Sequence, residues 1–241
     1  MKGRLDSVAD PQTEVVLHGI DSDSIIPDRF RSTEPLLASL VLKNVLKALR
    51  EQYDGFIIGN FLDAGLYAAR EIADIPVLGL GETSEFHACQ IGARFGIAPY
   101  NRKWARRLVE NLQIYGLEKR LAGIRPLAVK WEEITQGIWV DSNIRSRVID
   151  NFLQVSHMLV EDGAEIIIPG GGVIHLLLAL EKIRESEPGV PIIDGIAISV
   201  KMAEAMCKLK SLGEYSVSRV LSYEKPAPEY LDLLGKKLGL T

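Results

Sequence analysis

At 241 residues, with 47% hydrophobic and 25% charged side chains, the chain is long enough to build one large domain or two small ones. A formal charge of -4, from 28 basic against 32 acidic side chains, removes the electrostatic case for nucleic acid or an anionic membrane as main partner, leaving a small molecule. Neither a disulfide framework nor a cysteine zinc site can be read from the spacing of the two cysteines, Cys89 and Cys207, which fits a reduced cytoplasmic setting; no metal and no organic cofactor is expected.

In chain order, the opening MKGRLDSVADP has no apolar core of a targeting segment. TEVVLHGI (13–20) reads as a strand, EPLLASLVLKNVLKAL as a helix, and GFIIG as a second strand running into a Gly-Asn turn at Asn60. The next helix, AGLYAAREI, is expected to begin near Asp63 as its N-cap. IPVLGL is a strand, SEFHACQIG a helix, and after a strand at 95–98 the run YNRKWARRL opens another helix. A helix over 141–162 is bounded by Asp141-Ser142 and Gly163. The longest apolar stretch, IIIPGGGVIHLLLAL (166–180), is interrupted by three glycines and His175, which argues against a membrane span. Val/Ile-rich runs alternating with helical periods predict an α/β protein with parallel sheets wrapped by helices.

An internal repeat adds to this. GFIIGN, AGLYAAREIAD and IPVLGLGETSEFHACQIG parallel EIIIPGG, VIHLLLALEKI and VPIIDGIAISVKMAEAMCKL. Each copy runs strand, Gly-bearing turn, helix, strand, Gly-containing loop, helix. Two such units, expected over 1–95 plus 200–241 and over 96–199, would bring their Gly-bearing turns to strand C-terminal ends around a central cleft, where open parallel sheets bind ligands.

GNFLDAGLYAAREIADIPVLGLGE (59–82), Ile91-Gly92-Ala93-Arg94-Phe95, AEIIIPGGG (164–172) and VPIIDGIAISVKMAEAM (190–206) together resemble the aspartate/glutamate/hydantoin racemase superfamily, most closely its hydantoin-racemase-like branch. The resemblance covers most of the chain from about Ser7. It implies two pseudo-symmetric, flavodoxin-like units facing a cleft, with one cysteine from each exchanging a proton with opposite faces of a carbon acid. The first of those cysteines aligns with Asn60 and the second at or beside Gly171, so neither thiol is present. A carboxamide cannot shuttle a proton and glycine has no side chain, which excludes the two-thiol mechanism by residue identity. Paired threonines of relatives are replaced at Pro99-Tyr100-Asn101, making Tyr100 and Asn101 candidate substrate donors. LDSVADPQTEVVLHGI resembles the end of the first helix and the second strand of relatives, so the first strand is expected to be missing.

Asn60 either binds a substrate carbonyl or carboxylate or satisfies its own turn. Gly170, Gly171 and Gly172 either expose amides to an oxyanion or provide tight strand-to-helix geometry. His175 and His87 are candidate proton carriers, as is Glu82, although each also has a plain structural role as a packed, solvated or capping side chain. Asp194 pairs with Glu82 in the repeat, with helix capping as its alternative. Cys89 and Cys207 fall inside helices, where free cysteine is commonly a small buried hydrophobe. Arg102 and Trp104 either close over a ligand or belong to an ordinary helix face. The resulting expectation is a racemase-like isomerase acting on a hydantoin, an amino-acid derivative or a small carboxylate without the two-cysteine mechanism. The alternatives are a non-catalytic small-molecule-binding protein, or a lyase or hydrolase on the same scaffold. Self-association into a homo-oligomer is expected if a sheet edge or apolar helix face lies exposed.

Overall fold

The structure is a computed structural model and describes residues 1–20, 30–215 and 217–240. Its elements begin with α1 (Lys2–Val8), α2 (Glu34–Arg50), β1 (Phe56–Ile58), α3 (Leu66–Ile72), β2 (Val77–Gly79) and α4 (Leu80–Ile91). They continue with β3 (Phe95–Pro99), α5 (Arg102–Tyr115), β4 (Leu121–Ile124), the short α6 (Ile138–Val140) and the long α7 (Ser142–Glu161). The last are β5 (Ile166–Gly170), α8 (Gly172–Leu180), β6 (Glu185–Glu187), β7 (Val190–Pro191), α9 (Gly195–Ser211) and α10 (Pro228–Lys237). The protein is thus α/β with parallel sheets. It divides into two compact units: Lys2–Gly59, Asp63–Gly79 and Ser199–Thr241 form one, while Asn60–Leu62 and Leu80–Ile198, with Met1, form the other.

In the first unit β1 and β2 pair in parallel, from Phe56 opposite Val77 to Ile58 opposite Gly79. α2 and α3 bury Val45, Leu46, Leu66, Ala69 and Ile72 against Ile58 and Val77. Each large aliphatic side chain buried this way contributes about 1.5–3 kcal/mol. Residues 13–20 do not form the expected strand: Val16, Leu17 and Ile20 remain 40%, 50% and 44% exposed. Periodicity favours an extended chain, but a strand also needs a ladder partner, and among the described residues none pairs with this segment. α3 begins at Leu66 rather than at Asp63, with left-handed Gly65 (φ 80°) as N-cap. Asp63 is itself left-handed (φ 52°) and its carbonyl accepts the Leu66 N–H at 3.0 Å, so a turn precedes the helix. Its buried carboxyl fills the space beside Gly79, where a Cβ would meet it at 2.4 Å.

In the second unit the parallel sheet runs β4-β3-β5, with β3 central. β3 and β5 are buried throughout and pair from Phe95 opposite Ile166 to Pro99 opposite Gly170. Ile192 extends the sheet by a parallel bridge to Ile167, whose carbonyl accepts the Ile193 N–H at 2.9 Å. Main-chain groups alternate sides along a strand, so Pro169 turns its missing N–H away from β3 and costs that pairing nothing. α7 packs Val148, Phe152, Val155 and Leu159 inward. Its Asp141 N-cap accepts the N–H groups of Asn143 at 2.8 Å and Ile144 at 3.3 Å, and left-handed Gly163 (φ 92°) follows its end, both as the sequence predicts. The repeat corresponds to β1-α3-β2 and to β5-α8 followed by residues 190–193. The boundary between units falls at 79/80 instead of 95/96, because α4 packs on β3 and β5.

Candidate functional site

The register of β3 and β5 decides which side chains meet at the C-terminal edge of the second unit's sheet. Pro99 lies opposite Gly170, so Tyr100 and Gly171 leave their strands side by side. The approach is close enough that a Cβ on Gly170 would stand 2.6 Å from Pro99 Cα. Gly171 is backed by Tyr100 itself: a Cβ there would lie 2.1 Å from Tyr100 Cζ and 2.4 Å from its hydroxyl oxygen. The phenol occupies the space that any side chain at 171 would take.

Tyr100 is 3% exposed, and its hydroxyl accepts the Val173 N–H, in the first turn of α8, at 2.9 Å. Its ring packs on Trp104 (centroids 4.8 Å) and edge-on to Trp131 (5.4 Å). Trp104 is 2% exposed and therefore a core residue, not a lid over a ligand. One first-turn amide of α8 is already committed to Tyr100, while the Gly171 carbonyl accepts from Ile174 (3.1 Å) and His175 (3.2 Å). The Gly170–Gly172 turn thus has a demonstrable packing role at two of its three positions.

Asn101 caps α5, its Oδ1 accepting from Lys103 N–H at 2.9 Å and Trp104 N–H at 3.0 Å. Replacing it with Ala should cost about 1 kcal/mol, and Asp, an equally good cap, should restore it. Thermal denaturation of N101A and N101D checks this, and equal melting points for N101A and wild type would contradict it. Asn60 likewise closes its own turn, its Oδ1 accepting the Leu62 N–H at 2.8 Å. The short 60–62 segment is held to this unit by the Asn111 side-chain amide on the Leu62 carbonyl (3.0 Å) and by fully buried Phe61 on the His175 ring (5.4 Å).

His175 is enclosed, at 1% exposure. Its Nδ1 lies 3.0 Å from the Ile193 carbonyl oxygen and 3.1 Å from Gly195 N. A proton on Nδ1 donates to Ile193, and a proton on Nε2 leaves Nδ1 to accept from Gly195, so either tautomer ties α8 to the 193–195 loop. Gly195 must lack a side chain, since a Cβ would stand 2.2 Å from Ser84 Oγ and 3.0 Å from the imidazole. Burial holds the His175 pKa down to about 4, against the partial opposition of Asp194 and two carbonyls. The unfolded chain takes up this proton near 6.5 and the folded one only near 4, so stability is complete above pH 6.5 and lost on descent toward 4. At about 1.4 kcal/mol per pH unit the loss approaches about 3 kcal/mol. Urea unfolding across that window should show the fall in wild type and a flatter profile in H175N; identical profiles would contradict it.

The remaining candidates lie elsewhere in the unit. Glu82 and His87 are half-buried on α4, where His87 Nδ1 lies 3.2 Å from Gln90 Oε1. Sequence reasoning overlooked Glu85 on the same helix, which is fully buried. Burial pushes the Cys89 thiol up, with Glu85 reinforcing and Arg120 opposing the shift. Cys207, in the first unit, is also pushed up mainly by burial, and its thiol donates to the Asp54 carbonyl at 3.3 Å. Neither environment favours a thiolate. Asp194 caps α9 through the Ala197 N–H (3.1 Å) and pairs with Arg184 (2.9 Å). Among the described residues no group of three or more His, Cys, Asp or Glu is arranged to hold a metal, and no helix is long and apolar enough to cross a membrane.

Comparison with known proteins matches residues 3–203 to the Asp/Glu/Hydantoin racemase family model. The chain is 32% identical over 197 residues to a hydantoin racemase of Pseudomonas sp. (strain NS671), covering 80% of this chain and 73% of that one. It is 30% identical over 230 residues to a hydantoin racemase of Paenarthrobacter aurescens, covering 92% and 91%. Among solved structures it superimposes on an allantoin racemase from Klebsiella pneumoniae with a TM-score of 0.70 and 26% identity, over 93% of this chain and 86% of that one. An allantoin racemase from Pseudomonas fluorescens gives a TM-score of 0.74 at 21% identity, over 94% and 90%, a likeness of fold.

Proposed function

The chain belongs to the Asp/Glu/hydantoin racemase family, and we propose from that premise that it is an isomerase inverting the stereocentre of a small carbon acid of the hydantoin type, without thiol chemistry. Allantoin is a substituted hydantoin, so the names of the relatives and of the structural neighbours point to one chemical class. In such a reaction a base removes the proton from the stereogenic carbon. The electron pair moves into the neighbouring carbonyl as an enolate, and return of a proton to either face gives both enantiomers.

Tyr100 supports this reading. Its hydroxyl stands at the C-terminal end of the central strand, where the first-turn Val173 N–H donates to it. That hydrogen bond and the positive end of α8 both act in favour of negative charge on the phenolic oxygen, against the burial of the ring, and on them rests its assignment as a proton carrier on one face. His87 and Glu82, both half-buried on α4, are the sequence's candidates for a second proton carrier. The Asn60 side-chain NH2, whose amide oxygen Leu62 holds, and the N–H groups of Gly171 and Gly172, which precede the committed donors Val173, Ile174 and His175, are assigned to the enolate oxygen. His175, neutral and enclosed, positions the turn and the 193–195 loop. Polarimetry of single-enantiomer 5-substituted hydantoins tests the proposal. Decay of rotation to zero without a new product is expected, whereas release of a ring-opened product would identify a hydrolase, and binding without decay a non-catalytic module.

A further inference from the structure

Beside Tyr100 the second unit carries a pocket of about 590 Å³, formed where the chain leaves β3 and β4. Its walls include Tyr100, Arg102 at the start of α5, residues 126–130 after β4, and Glu133 and Arg147. Its size lies within the roughly 300–1,000 Å³ of small-ligand sites. Leu127 and Val129 supply apolar surface, and the Leu127 N–H is anchored on the Pro99 carbonyl at 2.8 Å.

The pocket's charge is unbalanced. Three cationic side chains, Arg102, Lys130 and Arg147, face a single carboxylate, Glu133. That carboxylate is already committed, accepting the Lys130 backbone N–H at 2.9 Å and pairing with Arg147. These two contacts, the backbone bond first, together with the nearby charges of Arg147 and Lys130, hold its pKa below the ordinary range, so it stays ionised and fixes the loop and Arg147 together. Arg102 and Lys130 form no ion pair with any carboxylate among the described residues. Two cations outside any ion pair, Arg102 and, within electrostatic reach of Glu133, Lys130, over apolar walls and next to the phenol assigned to proton transfer, suit an anion carried on a short apolar arm.

We propose that this pocket binds an acidic substituent of the substrate, so that carbon acids bearing a second, anionic group, such as carboxyalkyl hydantoins, are preferred over neutral ones. The inference rests on the racemase reading for the ring and on the pocket's charge for the substituent. Its test is calorimetric titration of the full chain with 5-(2-carboxyethyl)hydantoin and with neutral 5-isobutylhydantoin, in wild type and in the R102Q/K130Q variant.

Wild type should prefer the acid by about tenfold, the equivalent of roughly 1.4 kcal/mol. The preference should shrink to about twofold in the variant, and also in wild type at roughly 0.5 M salt, where exposed charges are screened. Equal affinity for the two ligands, or a preference that survives both the substitutions and the salt, overturns the proposal. If the double variant fails to fold, K130Q alone with the salt titration gives the same decision. Glutarate separates the two claims. Should it bind in a manner dependent on Arg102 and Lys130 while no hydantoin is racemised, the anion pocket stands and the racemase reading fails. Racemisation of hydantoins without regard to charge has the opposite meaning.

Discussion

Y100F is expected to lower the turnover number for racemisation by about 10² to 10⁴, the range for loss of a positioned general acid–base group, with KM changed by no more than a few-fold. Phenylalanine keeps the ring packed on Trp104 and Trp131 and removes one oxygen. The cost to the fold should be about 1–2 kcal/mol, because the Val173 N–H loses its acceptor in a partly buried setting. A melting temperature lowered by a few degrees together with near-complete loss of turnover marks a chemical role. An unchanged turnover number with a raised KM would instead reduce Tyr100 to a binding contact, and an unaffected enzyme would remove it from the site.

The second large effect is steric. Gly171 has an extended backbone (φ 173°) that any residue can adopt, so substitution there carries no conformational penalty. The obstacle is Tyr100, whose Cζ would stand 2.1 Å from a new Cβ. G171A should therefore destabilise the protein by about 1–3 kcal/mol, the usual range for overpacking. A thiol cannot be restored at 171 while Tyr100 remains, so G171C should be unstable and inactive. Truncating Tyr100 opens the space. In a double-mutant cycle the G171C substitution should cost at least about 1 kcal/mol less in the Y100A background than in wild type. Denaturant unfolding of the four proteins measures that coupling, and strict additivity would show that the phenol and position 171 do not compete.

How much of this was legible in the chain depended on how local each cause is. The Asp141 cap, the Gly163 terminus and the apolar runs of β3 and β5 are local signals, and the structure has them where the pattern places them. Residues 13–20 carry an equally good strand pattern, yet pairing is a property of a partner distant in sequence, and periodicity cannot supply one. The start of α3 was misplaced because Asp63 and Gly65 both adopt left-handed conformations, which turn the chain before the helix forms. Among the site residues, Tyr100 was visible as a polar residue after a strand. Its relation to Gly171 follows only from the opposition of Pro99 and Gly170, seventy-one residues apart in the chain. His175 stands out in an otherwise apolar stretch, a pattern equally suited to a cleft and to a sealed interior; Phe61 and the 193–195 loop decide for the interior. Glu85 was overlooked because a glutamate flanked by Ser84 and Phe86 on a helix carries no sign of full burial.

Thiol-free proton transfer is most directly tested by following solvent deuterium into the stereogenic carbon of a hydantoin by NMR, using the variant C89A/C207A. Neither sulfur is in an environment that favours the thiolate, so exchange should persist within about threefold of the wild-type rate while both enantiomers accumulate. Abolition of exchange in a variant that retains its fold, with wild type active, would mean that a cysteine carries the proton after all.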